Sequence, residues 1–443
     1  MNTKSALAKL LALVLTLAVF AVACGSSESD DGDNATDSDA SAQTDDDTGD
    51  TDEGDTDEGD TDEGDTDAGD TDAGDTDADT DEGDTDAGDT DADTEDAMDD
   101  EEDVELTQGG GVLATVLSRG EVNCGIPTSA VAFAQQDSSG VWQGFDVDYC
   151  HAVAAAVFGD RDAVNFVPLT AAERFTAVQT GEVDLLMRTT TWTQGRDASG
   201  DQGMDFGPTT FFDGQQLAGR RSQGFSEDST LADVNGARVC TNAGTTTEKN
   251  ISDGVAAAGG TFELVAAEDI PTAVAAFVAG QCDIFTSDGS AVAGEAATNE
   301  DNADGDWVVF PATPISKEPL GPVYPQNDSE WADIINWTVF ATIIADEKGI
   351  TSDNARDRLA EEQAASDAGG EGLDAEALRL LGGEGNLQGA LSLDDDAFLN
   401  VIEQVGNYDE IYNRHIPAIG LNREGSANAR WTEGGLIYAP PAR

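Results

Sequence analysis

The chain has 443 residues, with 91 Asp plus Glu against 20 Lys plus Arg and a formal charge of −71, a load that no compact domain carries evenly. Residues 25–106 hold 40 of the acids and no Lys or Arg, which leaves 51 acids and 18 bases for residues 107–443. Phosphate binding needs clustered cations, so this balance argues against a nucleic-acid partner, while the 39% of hydrophobic residues, drawn mostly from 107–443, can build the core of a two-lobed body.

In chain order, Lys4 and Lys9 form a basic region ahead of an apolar stretch that runs from Leu10 to Ala23. It is too short for a membrane span of about 20 residues and predicts a signal peptide over 1–23. The stretch ends Ala21-Val22-Ala23-Cys24-Gly25-Ser26. Small residues before a Cys resemble the lipobox of bacterial lipoproteins, which implies lipidation of Cys24 and a membrane anchor. The alternative, cleavage after Ala23 without lipid, leaves an exposed free thiol in an oxidising compartment. Acyl chains contribute roughly 0.8 kcal/mol per buried CH₂, so two or three of them would hold the protein at the membrane.

From Gly49 to about Ala97 the chain repeats Asp-Thr-Asp-(Glu/Ala)-Gly without a bulky apolar residue. Such a segment cannot bury enough surface to offset its chain entropy, so 24–106 is expected to be a disordered acidic linker. A coil of about 80 residues spans roughly 50 Å, and like-charge repulsion extends it. Asp at alternate positions resembles the start of a calcium-binding EF-hand loop. The fifth position is Gly, as in Asp55-Thr56-Asp57-Glu58-Gly59, and the loop pattern fails there.

The folded part is expected from about Leu106. Val122 to Gly125 reads as a strand, and Cys150, Val153, Ala154 and Val157 give the spacing of an amphipathic helix ending at Gly159. A strand over Val164 to Pro168 follows, then Thr170 and Glu173 as a capping box opening a helix through Phe175 and Val178. A third strand, Val183 to Met187, leads into Arg188-Thr189-Thr190-Thr191-Trp192-Thr193. The βαβαβ rhythm then repeats. It runs through a strand at Ala237 to Thr241, a helix starting in Gly244 to Glu248, a strand at Phe262 to Val265, a helix through Ile270 and Phe277 with Pro271 in its first turn, and a strand at Gln281 to Asp288. Two α/β lobes follow, with a cleft at the carboxyl ends of their strands, where open α/β sheets bind ligands.

Four stretches, Gly144-Phe145-Asp146-Val147-Asp148-Tyr149-Cys150, Leu169-Thr170-Ala171-Ala172-Glu173-Arg174-Phe175-Thr176-Ala177, Ser316-Lys317-Glu318-Pro319-Leu320-Gly321-Pro322 and Gly434-Gly435-Leu436-Ile437-Tyr438-Ala439-Pro440-Pro441, resemble the polar amino-acid family of ABC-transporter substrate-binding proteins (family 3). Within it they are nearest the general L-amino-acid-binding branch, the Aap and Bzt type. The resemblance covers residues 107–443 and implies a type II periplasmic-binding-protein fold, two open α/β lobes joined by two crossovers. The lobes would comprise 107–215 and 315–443, the latter with a C-terminal extension, and 216–314. It further implies an extracytoplasmic monomer that closes on a free L-amino acid and presents it to ABC permease subunits served by a separate ATPase, with no cofactor.

A free amino acid is a zwitterion, so its site needs a guanidinium and N–H donors for the carboxylate and an acceptor carboxylate for the ammonium. Arg196 is the guanidinium candidate, with Thr191 adding its N–H and hydroxyl. Thr246, with Thr245 beside it, lies at a helix N-terminus that favours an anion, and Asp288 ends a strand as the acceptor for the ammonium. The resemblance carries the family's ligand residues onto Arg196, Thr191, Thr246 and Asp288. Three of them have a structural alternative: an Arg196–Asp197 surface pair, a helix cap in Thr245 to Thr247, and an Asp288-Gly289 turn.

Two departures mark the branch. The family's strand-end segment usually has Asn where this chain has Thr189. No aromatic residue follows the first strand at Ile126-Pro127-Thr128-Ser129, which predicts a more polar pocket. Arg188 is expected either to favour acidic or amide side chains or to pair with an acid inside the first lobe. With Cys124 in the first strand, Cys150 in the helix packed on it, and Cys240 and Cys282 in neighbouring strands of the second unit, we expect disulfides Cys124–Cys150 and Cys240–Cys282. Four buried thiols are the alternative. Each bridge would contribute roughly 3–4 kcal/mol and leave a hinge between the lobes free.

No P-loop is present, and His151 and His415 stand in no nucleophile or zinc motif, so neither catalysis nor a metal site is expected. His151 reads as a partly exposed structural residue. A dehydratase-like enzyme on this fold and an amino-acid-sensing module are the alternatives. The segment Glu361 to Asp396 reads as a partly helical elaboration of the first lobe. The folded part's own charge of −33 is read as adaptation to salty surroundings, where screening shortens to several ångströms.

Overall fold

Two five-stranded sheets of the same design organise residues 111–198 and 204–443, the residues described by this computed structural model. The expected signal peptide, the Cys24 lipidation site and the acidic linker lie outside them. The first sheet has the order Val164–Leu169, Val122–Pro127, Leu185–Leu186, Val323–Pro325, Met204–Phe206. The second has the order Glu263–Ala267, Arg238–Asn242, Ile284–Asp288, Gln215–Arg220, Trp307–Phe310. In each, the first three strands are parallel and the fourth is antiparallel to both neighbours. The fourth strand in each comes from the chain just after it has crossed between the sheets. Phe211–Asp213 and Glu318–Leu320 pair antiparallel as the ribbon through which both crossings run. The architecture is that of two α/β lobes of a type II periplasmic-binding-protein fold.

Local chemistry explains the elements that frame the cleft. The helix Phe145–Phe158 starts after Gly144, whose φ of 144° and a missing Cβ that would fall 2.1 Å from the Phe133 carbonyl oxygen both demand glycine. The capping pair of Thr170 and Glu173 forms, the Thr170 N–H donating to Glu173 Oε2 at 3.0 Å and the Glu173 N–H to Thr170 Oγ1 at 3.4 Å. The helix it opens runs Arg174–Gln179. Thr245 caps Thr246–Ala257 and Asp269 caps Ile270–Val278, with Pro271 in the first turn of the latter. Alternation along the second lobe's strands sends Val239 and Ile284 to one core and Cys240 and Phe285 to the other.

Both disulfides form, Cys124–Cys150 and Cys240–Cys282, each within one lobe. Three sequence expectations need correction. Cys282 is in the turn before its strand, because ladder pairing begins only at Ile284. There the Asp283 N–H donates to the Arg238 carbonyl and the Asp283 side chain pairs with Arg238. The strand expected over Val183 to Met187 shrinks to Leu185–Leu186, which pairs with the short Val323–Pro325 through one residue. His151 is buried at 8% exposure, its Nδ1 2.6 Å from the Arg161 carbonyl, and burial holds the imidazole pKa below its usual value.

The chain beyond 329 enlarges the first lobe. Helices Ser329–Glu347, Ala397–Gln404 and Tyr408–His415 cover the side of Phe145–Phe158 that faces away from the sheet, which buries that helix almost all round. Within Glu361 to Asp396, Leu378, Leu380, Leu381 and Leu393 are buried, and Leu380, Leu381 and Leu393 join the cluster that contains Val122 and Phe145. Two buried acids anchor this addition. Asp148 accepts from Arg414 and from His415 at 2.8 Å, and Asp346 accepts from Arg423 at 2.6 Å and from Arg430. Removing one partner of such a pair costs about 3–5 kcal/mol, because the other charge is left uncompensated.

Candidate ligand-binding cleft

The lobes meet over a small cavity. The first lobe lines it with Arg174, Arg188, Thr189, Thr191 and Arg196, and the second with Asn242, Thr245, Thr246, Thr247, Ile270, Ser287 and Asp288. All seven residues singled out from the sequence for the ligand are therefore in one place, although they come from segments up to 100 residues apart.

Their positions follow from the strand ends. Thr191 is bridged to Leu320 of the crossover ribbon, and the Trp192 N–H donates to the Pro319 carbonyl at 2.9 Å. The short helix Gln194–Asp197, capped by Thr193, turns Arg196 back so that its Nη1 donates to the Thr191 carbonyl at 2.8 Å. Arg196 lies over the Phe175 ring at 5.3 Å and Arg174 over the same ring at 4.6 Å. An aromatic ring thus lies beneath two of the guanidinium groups that line the cavity, not after the first strand. Trp192 points out of the cavity, 41% exposed and stacked on Phe206.

Charge is divided unevenly. Arg174, Arg188 and Arg196 converge, and burial lowers the pKa of each. Arg188 falls to about 10, and the other two guanidiniums add to the depression of Arg174. Arg188 donates through Nε to the Leu169 carbonyl at 3.0 Å and lies in the field of Asp146. Asp146 in turn accepts the Thr189 N–H at 2.8 Å, and burial pushes it up to about 7. Opposite them stands Asp288. Desolvation raises its carboxyl well above the usual range, and the nearby acids Asp213 and Glu318 raise it further. Asp213, itself desolvated, is pushed up to about 6. Three cations against a strained carboxyl make a site that lacks negative charge at one end and a cation at the other.

The hydrogen-bond ledger points the same way. Among the described residues, four buried side-chain polar atoms have no partner, and two of their residues line this cavity: Arg174 through its Nε donor and Asn242 through its Oδ1 acceptor. Buried polar groups are rarely left so. Thr191 and Thr246 each give their only hydroxyl proton to Glu318 Oε2, at 2.6 and 2.8 Å. What they show each other at 3.3 Å, and show the cavity, are lone pairs, which corrects the expectation that the Thr191 hydroxyl donates to the ligand's carboxylate. Thr245 accepts the Glu248 N–H at 3.2 Å as a helix cap and still lines the cavity.

Sequence reasoning missed Arg174, Asn242, Thr247, Ile270 and Ser287 as lining residues. Arg174 stood inside a family stretch, and a long cation at the start of a capped helix was the available signal. Asn242, at the end of its strand before Gly244, held the same strand-end position as Asp288.

Residues 122–349 match the bacterial extracellular solute-binding proteins, family 3. The glutamate/glutamine/aspartate/asparagine-binding protein BztA of Rhodobacter capsulatus is 42% identical over 334 residues, 75% of this chain and 93% of that protein. The general L-amino acid-binding periplasmic protein AapJ of Rhizobium johnstonii is 41% identical, covering 75% of this chain and 92% of that one. A solved ABC-transporter periplasmic binding protein from Brucella ovis with glutathione bound superposes with a TM-score of 0.67 at 41% identity, over 75% of this chain and 99% of that one. With its paired lobes, its charged cleft and these relatives, the chain belongs to the bacterial extracellular solute-binding proteins of family 3.

Proposed function

We propose that this protein is the extracytoplasmic amino-acid-binding component of an ABC importer, and that it captures polar or acidic L-amino acids by closing its lobes on them. The observation that carries this reading is the cavity's complementarity to a zwitterion. Three guanidiniums and an unpartnered Arg174 donor face a desolvated Asp288 and an unpartnered Asn242 acceptor. Arg196 holds the α-carboxylate, helped by the Thr246 and Thr247 N–H groups at the helix start, the Glu248 N–H being taken by the Thr245 cap. Asp288 holds the ammonium, with the lone pairs of Thr191 and Thr246 beside it. Arg188 and Arg174 remain for a side-chain carboxylate or amide. The relatives bind glutamate, glutamine, aspartate and asparagine, or L-amino acids generally, by their names, and they are binding proteins rather than enzymes.

Around this core the reading places a monomer tethered through lipidated Cys24 and the 24–106 spacer, with lobes 107–215 plus 315–443 and 216–314. It delivers to permease subunits driven by a separate ATPase. Calorimetry of the full chain against the common amino acids tests the central part, with glutathione included because its γ-glutamyl end is an α-amino acid. Binding in the micromolar range or tighter by at least one acidic or amide amino acid is expected. Nothing tighter than millimolar refutes the reading.

A further inference from the structure

Glu318 opens the returning crossover strand, and it is 1% exposed. Its carboxylate accepts four hydrogen bonds: from Thr191 Oγ1 at 2.6 Å, Thr246 Oγ1 at 2.8 Å, Asn250 Nδ2 at 2.7 Å and Ser316 Oγ at 2.6 Å. These donors belong to three different parts of the molecule. Thr191 is a bridge residue of the first lobe, Thr246 and Asn250 are in the first turns of a second-lobe helix, and Ser316 is on the crossover itself. A buried carboxylate is expensive unless fully hydrogen-bonded. Here the required donors can be gathered only when both lobes are brought to the ribbon.

The two sides of this cluster are attached differently. Thr191 is tied to the ribbon through backbone, by its bridge to Leu320 and by the Trp192 N–H on Pro319, so its bond to Glu318 survives any rotation of the second lobe. Thr246 and Asn250 reach Glu318 through side chains alone. Rotation of their lobe away from the ribbon breaks both bonds and leaves half of the carboxylate unpaired.

We propose that Glu318 is the closure latch of the cleft, a positioning residue that favours the closed arrangement of the lobes and fixes the hydroxyls of Thr191 and Thr246 with their lone pairs toward the ligand. The effect on affinity rests on the amino-acid-binding reading above, whereas the effect on the lobes does not. Because only the closed fraction is competent to hold a ligand from both sides, a latch that raises this fraction raises apparent affinity by the same factor.

The test compares wild type, Glu318→Gln and Asn250→Leu in the full chain, each stripped of amino acid and carrying spin labels on Asp160→Cys and Glu263→Cys, exposed positions near the far edges of the two sheets. Pulsed EPR distances read the closed-to-open ratio, and calorimetry with L-glutamate reads affinity. Asn250 does not line the cavity, so Asn250→Leu loosens the latch and leaves the ligand's contacts in place. Loss of charge-assisted hydrogen bonds should lower the closed-to-open ratio roughly tenfold in Glu318→Gln and less in Asn250→Leu, with affinity falling by the factor by which the closed fraction falls. Distance distributions identical in wild type and in a folded variant overturn the latch, and Asn250→Leu alone decides if Glu318→Gln does not fold. Variants that open while wild type binds no amino acid uphold the latch and refute the amino-acid reading instead.

Discussion

The two lobes share a strand order and a direction pattern, yet they bring opposite chemistry to the cleft. The first supplies Arg174, Arg188 and Arg196, and the second supplies Asn242, Asp288 and the start of the Thr246–Ala257 helix. The repeated scaffold sets where residues can face the cleft, namely the carboxyl ends of the parallel strands. The side chains at those ends then divide the work, so that neither lobe alone matches a zwitterion. The same division separates stability from binding: the first lobe is enlarged by the helices beyond 329, whereas the second relies on two small cores and one disulfide.

The division can be broken from either side. Removing the α-carboxylate's partner on the cationic side with Arg196→Ala should weaken L-glutamate binding by roughly thirtyfold to several thousandfold in calorimetry, because a desolvated ion pair loses one partner (about 2–5 kcal/mol). An unchanged affinity would move the carboxylate to another arginine. Removing the anionic half with Asp288→Asn should cost about tenfold to a hundredfold in the same assay, since the amide oxygen still accepts but carries no charge. A variant that binds as well as wild type would exclude Asp288 as the ammonium's partner.

How much of this division was legible beforehand depended on whether a residue's role followed from its place in an element. Arg196 follows the segment after a strand, Thr246 starts a helix and Asp288 ends a strand, and a periodic reading of the chain finds those places. Arg174 and Asn242 needed the tertiary fold, since only the approach of the lobes shows that the Arg174 Nε and the Asn242 Oδ1 are buried and unpartnered. Glu318 was visible only as part of a family stretch. Its function as a four-donor acceptor depends on Thr191, Thr246 and Asn250 arriving from distant segments. Strand limits failed where pairing, not propensity, decides them, as at Leu185–Leu186 and at Ile284 after Cys282.

Acidity sharpens the contrast further. Asp146, Asp213 and Asp288 all have carboxyl pKa values raised by desolvation, Asp146 to about 7 and Asp213 to about 6. A raised folded-state value means that the group's contribution is fully present below the unfolded value near 3.8 and is lost as pH rises through the folded value. The protein without amino acid should therefore lose stability from Asp146 and Asp213 between about pH 4 and pH 7, and from Asp288 as pH rises through its own raised value. A bound ammonium offsets the loss at Asp288, so the thermal shift produced by L-glutamate should be larger at pH 8 than at pH 5. An equal shift at both would detach Asp288 from the ligand.

The smallest effect expected concerns Thr189. Its φ of 40° places a β-branched residue in the left-handed region, where Asn is better tolerated. Thr189→Asn should raise stability by about 1 kcal/mol in denaturant unfolding while its N–H keeps its bond to Asp146. A loss of stability would mean that the threonine side chain offsets the strain by contacts within the cleft.

The measurement that bears most directly on the central claim is a paired titration of the full chain with L-glutamate and with N-acetyl-L-glutamate at pH 8. Both carry two carboxylates for the arginines of the first lobe, but only the free amino acid carries an ammonium for the second. The two-sided cleft predicts micromolar or tighter binding of L-glutamate and a loss of at least a hundredfold for the acetylated form. Equal binding of the two would contradict it, because the second lobe would then take no part in recognising the amino group.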